Sequence, residues 1–410
     1  MLDLNTIYNM DCLEGMKLLP SNSIDAIVTD PPYWLSFMGK KWDYDVPSKE
    51  IREEALRVLK PWWYLLAFAG TRTYHRMACA IEDAGFEVRD MIEWVYGSGF
   101  PKSRNIGLDV DKRNGVTKNR GKAFVVAGQS GQRDKDTGGD LVSGSNTMGA
   151  YVAQNEWSGW GTALKPAHEP ICMARKPLGE KTVAENVLKW GTGGINIDGC
   201  RVGTDNIKIN NTELNTRFAN FNTQDTIGQG YISKESIGRF PANLIHDGSD
   251  EVRECFPESK GGAFPKTHGS SGFVSPEEKE SRLEMNDSGN ASRFFKSIIY
   301  QAKSSKAERN KGCEELELRP GGSNAKGYTQ DVKRGLDRNR PVTNNHPTVK
   351  PIALMEYLVK LVSKEWAVVI DPFAWSGSTM IACKRLWRQY IGFELDQWYC
   401  EIAENRVASY

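Results

Sequence analysis

The sequence predicts an α/β fold, a parallel-rich sheet with helices on both faces. Three observations carry this. Short apolar, β-branched runs alternate with amphipathic stretches near both ends of the chain. The run Ala367–Asp371 ends in Asp371-Pro372 and passes through a Gly/Ser turn into an apolar-periodic helix over about Thr379–Trp387. A strand, a small-residue turn and a helix N-terminus together make a ligand cradle at the carboxyl end of a strand. A second strand, Ser23–Thr29, runs far earlier in the chain into Asp30-Pro31-Pro32-Tyr33, where a Pro pair cannot donate ladder hydrogen bonds and the strand must stop. The chain makes sense if these two turns face each other.

In chain order, Thr6–Met10 reads as a strand and Leu13–Leu19 as a short helix closed by Pro20-Ser21-Asn22. Ser48–Lys60 is an amphipathic helix with Ser48 as N-cap and Leu56, Val58 and Leu59 on its apolar side. Tyr64–Ala69 is an apolar strand, Arg72–Ala84 a helix ended by Gly85, and Glu87–Val95 another strand. The regularity stops at Tyr96. Gly97–Gly161 is rich in Gly, Ser, Asn and charged residues and is expected to be a long mobile insertion. Pro170–Ala174 returns as a strand. Gly191–Arg340 is polar and loop-rich and reads as a separate lobe grafted on the sheet. Pro351 suits the first residue of a helix running to Val362. The strand at Ala367 and its helix follow, then a strand at Gln389–Glu394 and a last helix at about Gln397–Val407. This divides the chain into 1–100, 101–160, 161–190, 191–340 and 341–410, the first and last being two halves of one sheet domain.

The 410 residues suffice for one large α/β domain with a substantial insertion, or for two domains. No run is apolar enough to span a bilayer, and the N-terminus lacks a signal-peptide pattern. The eight cysteines are scattered and never spaced C-x-x-C, which fits a reducing cytoplasm without a disulfide framework. The five histidines are not spaced for a metal, so none is expected. A net charge of +1 does not mark a nucleic-acid binder, so such a role needs a local basic surface. Two runs could supply one: Lys303, Lys306, Arg309 and Lys311, and then Lys333, Arg334, Arg338 and Arg340. They read equally as a solvated face or as phosphate contacts.

Asp30-Pro31-Pro32-Tyr33 brings a carboxylate, backbone carbonyls that no strand can use and an aromatic face into one rigid turn. That set suits a planar amine: the oxygens accept its two N–H hydrogens while the ring stacks on the base. Accepting those hydrogens pushes electron density onto the nitrogen and makes it a better nucleophile. In isolation the same four residues also read as a capped turn with a core tyrosine.

The motif resembles the catalytic motif of the amino-methylating DNA methyltransferases, and the run from Asp371 to Thr379 resembles that family's S-adenosylmethionine loop. Ile391-Gly392-Phe393-Glu394-Leu395-Asp396 is similar to the strand end that holds the cofactor ribose hydroxyls. His346-Pro347-Thr348-Val349-Lys350-Pro351 resembles the segment before the cofactor loop that touches the methionine end, and Asn9-Met10-Asp11-Cys12-Leu13 the strand end near the cofactor adenine. With the catalytic motif first and the cofactor loop last, the chain is similar to the circularly permuted beta group.

The resemblance implies a Rossmann-like S-adenosylmethionine-dependent methyltransferase sheet with a loop-rich target-recognition lobe inserted at 191–340. It implies catalytic roles for Asp30, Pro31, Pro32 and Tyr33, acting on a base flipped out of double-stranded DNA. It implies cofactor contacts for Asp11, Thr348, Lys350, Asp371, Pro372, Phe373, Ala374, Ser376, Gly377, Ser378, Thr379, Glu394 and Leu395. Asp at position 30 favours adenine N6 over cytosine N4. Trp160–Pro170 looks like a segment of phage and prophage members that lies near the flipped base, and dimers are common in the group.

Tryptophan stands where this family usually has Gly: at Trp375 in the cofactor loop, at Trp34 after the catalytic turn, and at Trp62-Trp63. The Gly positions permit positive φ or close backbone approach, which Trp resists. The rings at Trp34 and Trp375 either crowd the cofactor and base or stack there and add affinity. The sequence leaves both open, and with them the alternatives of N4-cytosine methylation and of a weakened or inactive DNA-binding relative.

Overall fold

The computed structural model describes residues 2–33, 47–97, 99, 103–116, 153, 155–191, 193–209, 234–260, 288–298, 305–320, 341–346 and 349–410. Its strands are β1 (Thr6–Asn9), β2 (Ile24–Thr29), β3 (Leu59–Phe68), β4 (Glu87–Val95), β5 (His168–Arg175), β6 (Val202–Ile209), β7 (Lys234–Arg239), β8 (Leu244–His246), β9 (Glu258–Lys260), β10 (Ser288–Asn290), β11 (Lys296–Ser297), β12 (Arg319–Pro320), β13 (Pro341–Val342), β14 (Val368–Asp371) and β15 (Gln389–Glu394). One sheet runs β1-β15-β14-β2-β3-β5-β4-β8-β11. The pairs β6–β7, β9–β10 and β12–β13 are separate antiparallel ribbons.

The first five strands in this order are mutually parallel. Every residue of β2 is buried, as a central strand covered on both faces requires. The N-terminal strand β1 lies beside the C-terminal β15, and β14 lies beside β2 with Ile370 opposite Ile27. From β2 the chain moves one way along the sheet to β3, and from β14 it moves the other way to β15. The carboxyl ends of β2 and β14 therefore flank a topological switch point, the place where open α/β sheets bind ligands.

Two details fix this register. Asp25 in β2 receives Lys60 Nζ at 2.6 Å, and its other oxygen accepts the Val368 N–H at 2.8 Å, so one buried carboxylate ties β3, β2 and β14 together. Gly15, in the helix Cys12–Lys17, packs so closely on β15 that a Cβ there would lie 2.2 Å from the Phe393 ring.

The chain departs from its sequence pattern in three places. β3 begins at Leu59 instead of Tyr64, and its register with β2 shifts between Ile24 and Ala26. Trp62 sits in this irregular stretch at φ 74°, under the Arg175 guanidinium at 3.5 Å, while Trp63 is in the core. β5 runs antiparallel to β3. The stretch expected as a separate lobe gives β8 and β11 to the sheet edge.

The chain divides into two compact units, Met1–Trp94 with Glu169–Tyr410, and Val95–His168. The second contains the helix Ile106–Arg113, N-capped by Asn105, whose side chain accepts the Leu108 N–H. Of the expected insertion, 98, 100–102, 117–152 and 154 lie outside the described residues. Among the described residues no helix is long and apolar enough to cross a membrane.

Candidate active site

β2 and β14 each end in an Asp-Pro pair, and the structure brings both pairs to one cleft. It is open to solvent and lined by Asp30, Lys350, Asp371, Phe373, Trp375 and Thr379, among others.

Asp30 is 8% exposed. One carboxylate oxygen accepts the Tyr33 hydroxyl, and the other lies 2.9 Å from Lys350 Nζ. Lys350 also reaches the Tyr33 oxygen and Glu169 Oε2, each at 3.0 Å, and its ammonium sits 4.6 Å from the Phe68 ring centre. Burial alone would push the Lys350 pKa down, but Asp30 and then Glu169 outweigh it and hold it above the usual lysine value. Pro31 and Pro32 are buried and Tyr33 is half-buried.

Asp371 is 3% exposed and has a different set of partners. Its oxygens accept the Phe373 N–H at 3.1 Å and the Thr379 hydroxyl at 2.5 Å. Burial, against these neutral donors and with Asp30 nearby, pushes its pKa up to about 7. Glu394 resembles it: its oxygens accept the backbone N–H groups of Trp375 at 2.9 Å and Asp396 at 2.8 Å, and burial raises it to about 7.

The loop between β14 and the helix Ser378–Arg385 has Gly377 at φ 79°, with the Ala403 backbone 3.1 Å from where a Cβ would be. Pro372, Ala374, Ser376 and Ser378 are buried and Phe373 is half-buried. Arg406, fully buried on the last helix (Gln397–Ala408), donates to the Ser376 carbonyl and to the Ser376 hydroxyl at 3.1 Å. The Ser378 hydroxyl donates to the Lys350 carbonyl at 3.0 Å, which joins the loop to the segment before it.

Trp375 adopts φ 47°, in the left-handed region that its usual Gly would occupy freely. Its indole N–H donates to the Asp30 carbonyl at 2.6 Å, a direct bond from the cofactor-type loop to the catalytic-type turn. The ring stacks 6.5 Å from Phe373 and lies 5.1 Å from buried His346. Trp34 lies outside the described residues, as does Thr348.

Two expected cofactor contacts are exposed. Asp11 is exposed and caps the helix Cys12–Lys17, accepting the Leu13 N–H at 2.8 Å. Leu395 is 71% exposed directly after Glu394. Of the basic runs, Arg309 donates to the His346 carbonyl and Lys311 stacks on Tyr410 at 3.5 Å. The side chain of Lys306, and all of Lys303, Lys333, Arg334, Arg338 and Arg340, lie outside the described residues. The resemblance placed the segment Trp160–Pro170, which contains Glu169, near the base without naming Glu169 itself, and sequence reasoning missed Arg406. For Arg406 a signal existed: it shares the helical spacing of the apolar Ile402, Ala403 and Val407, where a lone cation needs a buried acceptor.

The sequence signature of the N6/N4 DNA methylase family matches residues 24–405. The Type II methyltransferase M.HindIII of Haemophilus influenzae is 22% identical over 98% of this chain and 95% of its own length. M.HpaI of Haemophilus parainfluenzae, also a Type II methyltransferase, is 42% identical over 16% of this chain and 20% of its own. Among solved structures, M1.HpyAVI with SAM is 16% identical, with 98% of each chain covered and a TM-score of 0.38. The cytosine-N4-specific PvuII DNA methyltransferase is 12% identical, covers 98% of this chain and 85% of its own, and has a TM-score of 0.41.

Proposed function

The chain belongs to the N6/N4 DNA methylase family, and on that premise we propose that it transfers a methyl group from S-adenosylmethionine to the exocyclic N6 of an adenine flipped out of double-stranded DNA. The observation that carries this reading is the adjacency of β2 and β14. It gives one cleft both the amine-accepting turn at Asp30 and the acidic loop at Asp371.

The cleft suits that cofactor. A fully buried carboxylate held by neutral donors, with its pKa near 7, is a site that a cationic ligand completes, and Asp371 is such a group. Glu394 has lone pairs beyond those taken by Trp375 and Asp396, enough to accept ribose hydroxyls. Asp11, Phe373 and Leu395 would flank the adenosine, and Ser376, Gly377, Ser378 and Thr379 would hold the loop around the methionine end. When bound, S-adenosylmethionine supplies an electrophilic methyl group.

Asp30 does the work on the other side. Its carboxylate, already accepting from Tyr33 and Lys350, retains capacity for an amine N–H, and the Pro31 carbonyl would take the second. Tyr33 would stack on the base. Flipping costs roughly a few kcal/mol, offset by these contacts. Rate enhancement then comes from orientation and matched polarity in a cleft that base and cofactor together would fill. An acidic side chain at position 30 favours adenine. Pairing with a restriction partner, as the Type II relatives' names suggest, and assembly as a homodimer in the cytoplasm belong to the same reading.

The test is methyl transfer from labelled S-adenosylmethionine to mixed-sequence unmethylated duplex DNA, with product nucleosides identified by mass spectrometry. N6-methyladenine is expected. N4-methylcytosine would keep the reaction and overturn the base. DNA binding without either product would indicate a binding protein whose tryptophans have closed the site.

A further inference from the structure

Lys350 is a buried cation that faces two carboxylates and a phenol. Its ammonium pairs with Asp30 at 2.9 Å and Glu169 at 3.0 Å and donates to the Tyr33 oxygen at 3.0 Å. The side chains of Asp30 and Lys350 are about equally sealed, at 10% and 9% exposure, whereas Glu169 keeps 26%. Glu169 is the second residue of β5, the strand that pairs antiparallel with β3 on the side away from β14.

The arithmetic of charge matters here. One ammonium against one carboxylate would neutralise Asp30 and weaken it as an acceptor for an incoming amine. One ammonium shared between two carboxylates leaves the cluster with a net negative charge. We propose that Glu169 is a positioning residue that draws Lys350 off Asp30, so that Asp30 keeps its acceptor strength toward the target amine. The proposal rests on the methyl-transfer reading above and adds to it a residue that acts through Lys350. Glu169 itself touches neither base nor cofactor in this scheme.

The groups facing Asp30 are Lys350, Tyr33 and, through the cleft, Asp371, with Glu169 behind Lys350. Removing the Glu169 charge leaves Lys350 paired to Asp30 alone, which weakens Asp30 as an acceptor. Glu169→Gln is therefore expected to lower kcat at least tenfold, with KM for DNA and Kd for S-adenosylmethionine within twofold of the parent. Glu169→Asp, which keeps the charge, restores kcat.

A readout independent of turnover is the 15N resonance of the Lys350 ammonium, expected to titrate at lower pH in Glu169→Gln because one of its two anions is gone. A parent chain that transfers methyl while Glu169→Gln matches it in kcat overturns the role of Glu169 and leaves the methyl-transfer reading standing. Equal losses in Kd and kcat, or an unchanged Lys350 titration, overturn it as well. A parent chain with no transfer at any pH overturns the methyl-transfer reading, and the Lys350 titration then still decides whether Glu169 shares that cation.

Discussion

Asp30 and Asp371 end neighbouring parallel strands, each is followed by proline, and each is almost fully buried. Their surroundings differ. Asp30 has a cation at 2.9 Å. Asp371 has a hydroxyl and a backbone N–H, and its pKa rises to about 7. The difference shows how one architectural position supports two chemistries. A carboxylate whose counter-ion belongs to the protein is a standing acceptor. A carboxylate without one is poised for a cation that arrives from outside.

The largest expected effect comes from removing the standing acceptor. Asp30→Ala is expected to lower kcat for methyl transfer about 10²–10³-fold, the scale for losing a key polar contact to the reacting group. S-adenosylmethionine binding measured by calorimetry should persist. A variant with near-parental kcat would show that the contrast between the two aspartates has no catalytic meaning.

Next is Asp371. If its charge is completed by a cationic ligand, ligand binding must release the proton that burial holds on it. Affinity for S-adenosylmethionine is then expected to weaken toward tenfold per pH unit below about 7. Asp371→Asn should weaken binding and flatten that dependence. Titration calorimetry in buffers of different ionisation heat reads the proton release directly.

The unliganded chain should show the same groups in its stability. Asp371 and Glu394 have folded pKa values of about 7, above their unfolded values of 3.8 and 4.5. The folded state therefore binds more protons between these limits, and stability falls as pH rises from about 4 through 7. Chemical denaturation across this range checks the sign. Bound S-adenosylmethionine is expected to flatten the slope.

The smallest effects concern tryptophan. Trp366 and Trp387 share the positive φ of Trp375, at 65° and 59°, but lie next to the amino ends of β14 and β15, and are 66% and 67% exposed. The two rings lie 6.3 Å apart, so Trp366→Gly and Trp387→Gly each relieve left-handed strain but lose that contact, and are expected to change stability by less than about 1 kcal/mol each. Trp375→Gly relieves the same strain but loses the indole bond to the Asp30 carbonyl, so its thermal midpoint should lie below theirs. Comparing the three by thermal denaturation reads what that bond and the ring's contacts with Phe373 and His346 contribute together.

Much of the fold was legible in the chain. Glu87–Val95 and Gln389–Glu394 are strands over the residues their patterns predict, and Ser48 caps its helix as expected. β3 was misread at its start because Lys60 looks like a helix end and instead pairs with Asp25 across the sheet. The direction of β5 was illegible, since a buried strand has the same apolar run whichever way it points.

The sequence by itself determined the element types, the strands that end in Asp30 and Asp371, and the loop that turns at Gly377. These follow from periodicity and from proline and glycine acting on their immediate neighbours. It also marked Trp62 and Trp375, which adopt positive φ, but not Trp366 and Trp387, which do so as well. Only the tertiary structure decided which group neutralises which. Lys350 lies between Asp30 and Glu169, Arg406 beneath Ser376, and the Trp375 indole on the Asp30 carbonyl. Hydrogen bonds and ion pairs act over about 3 Å of space, and these partners meet only when β2, β5, β14 and the last helix have packed.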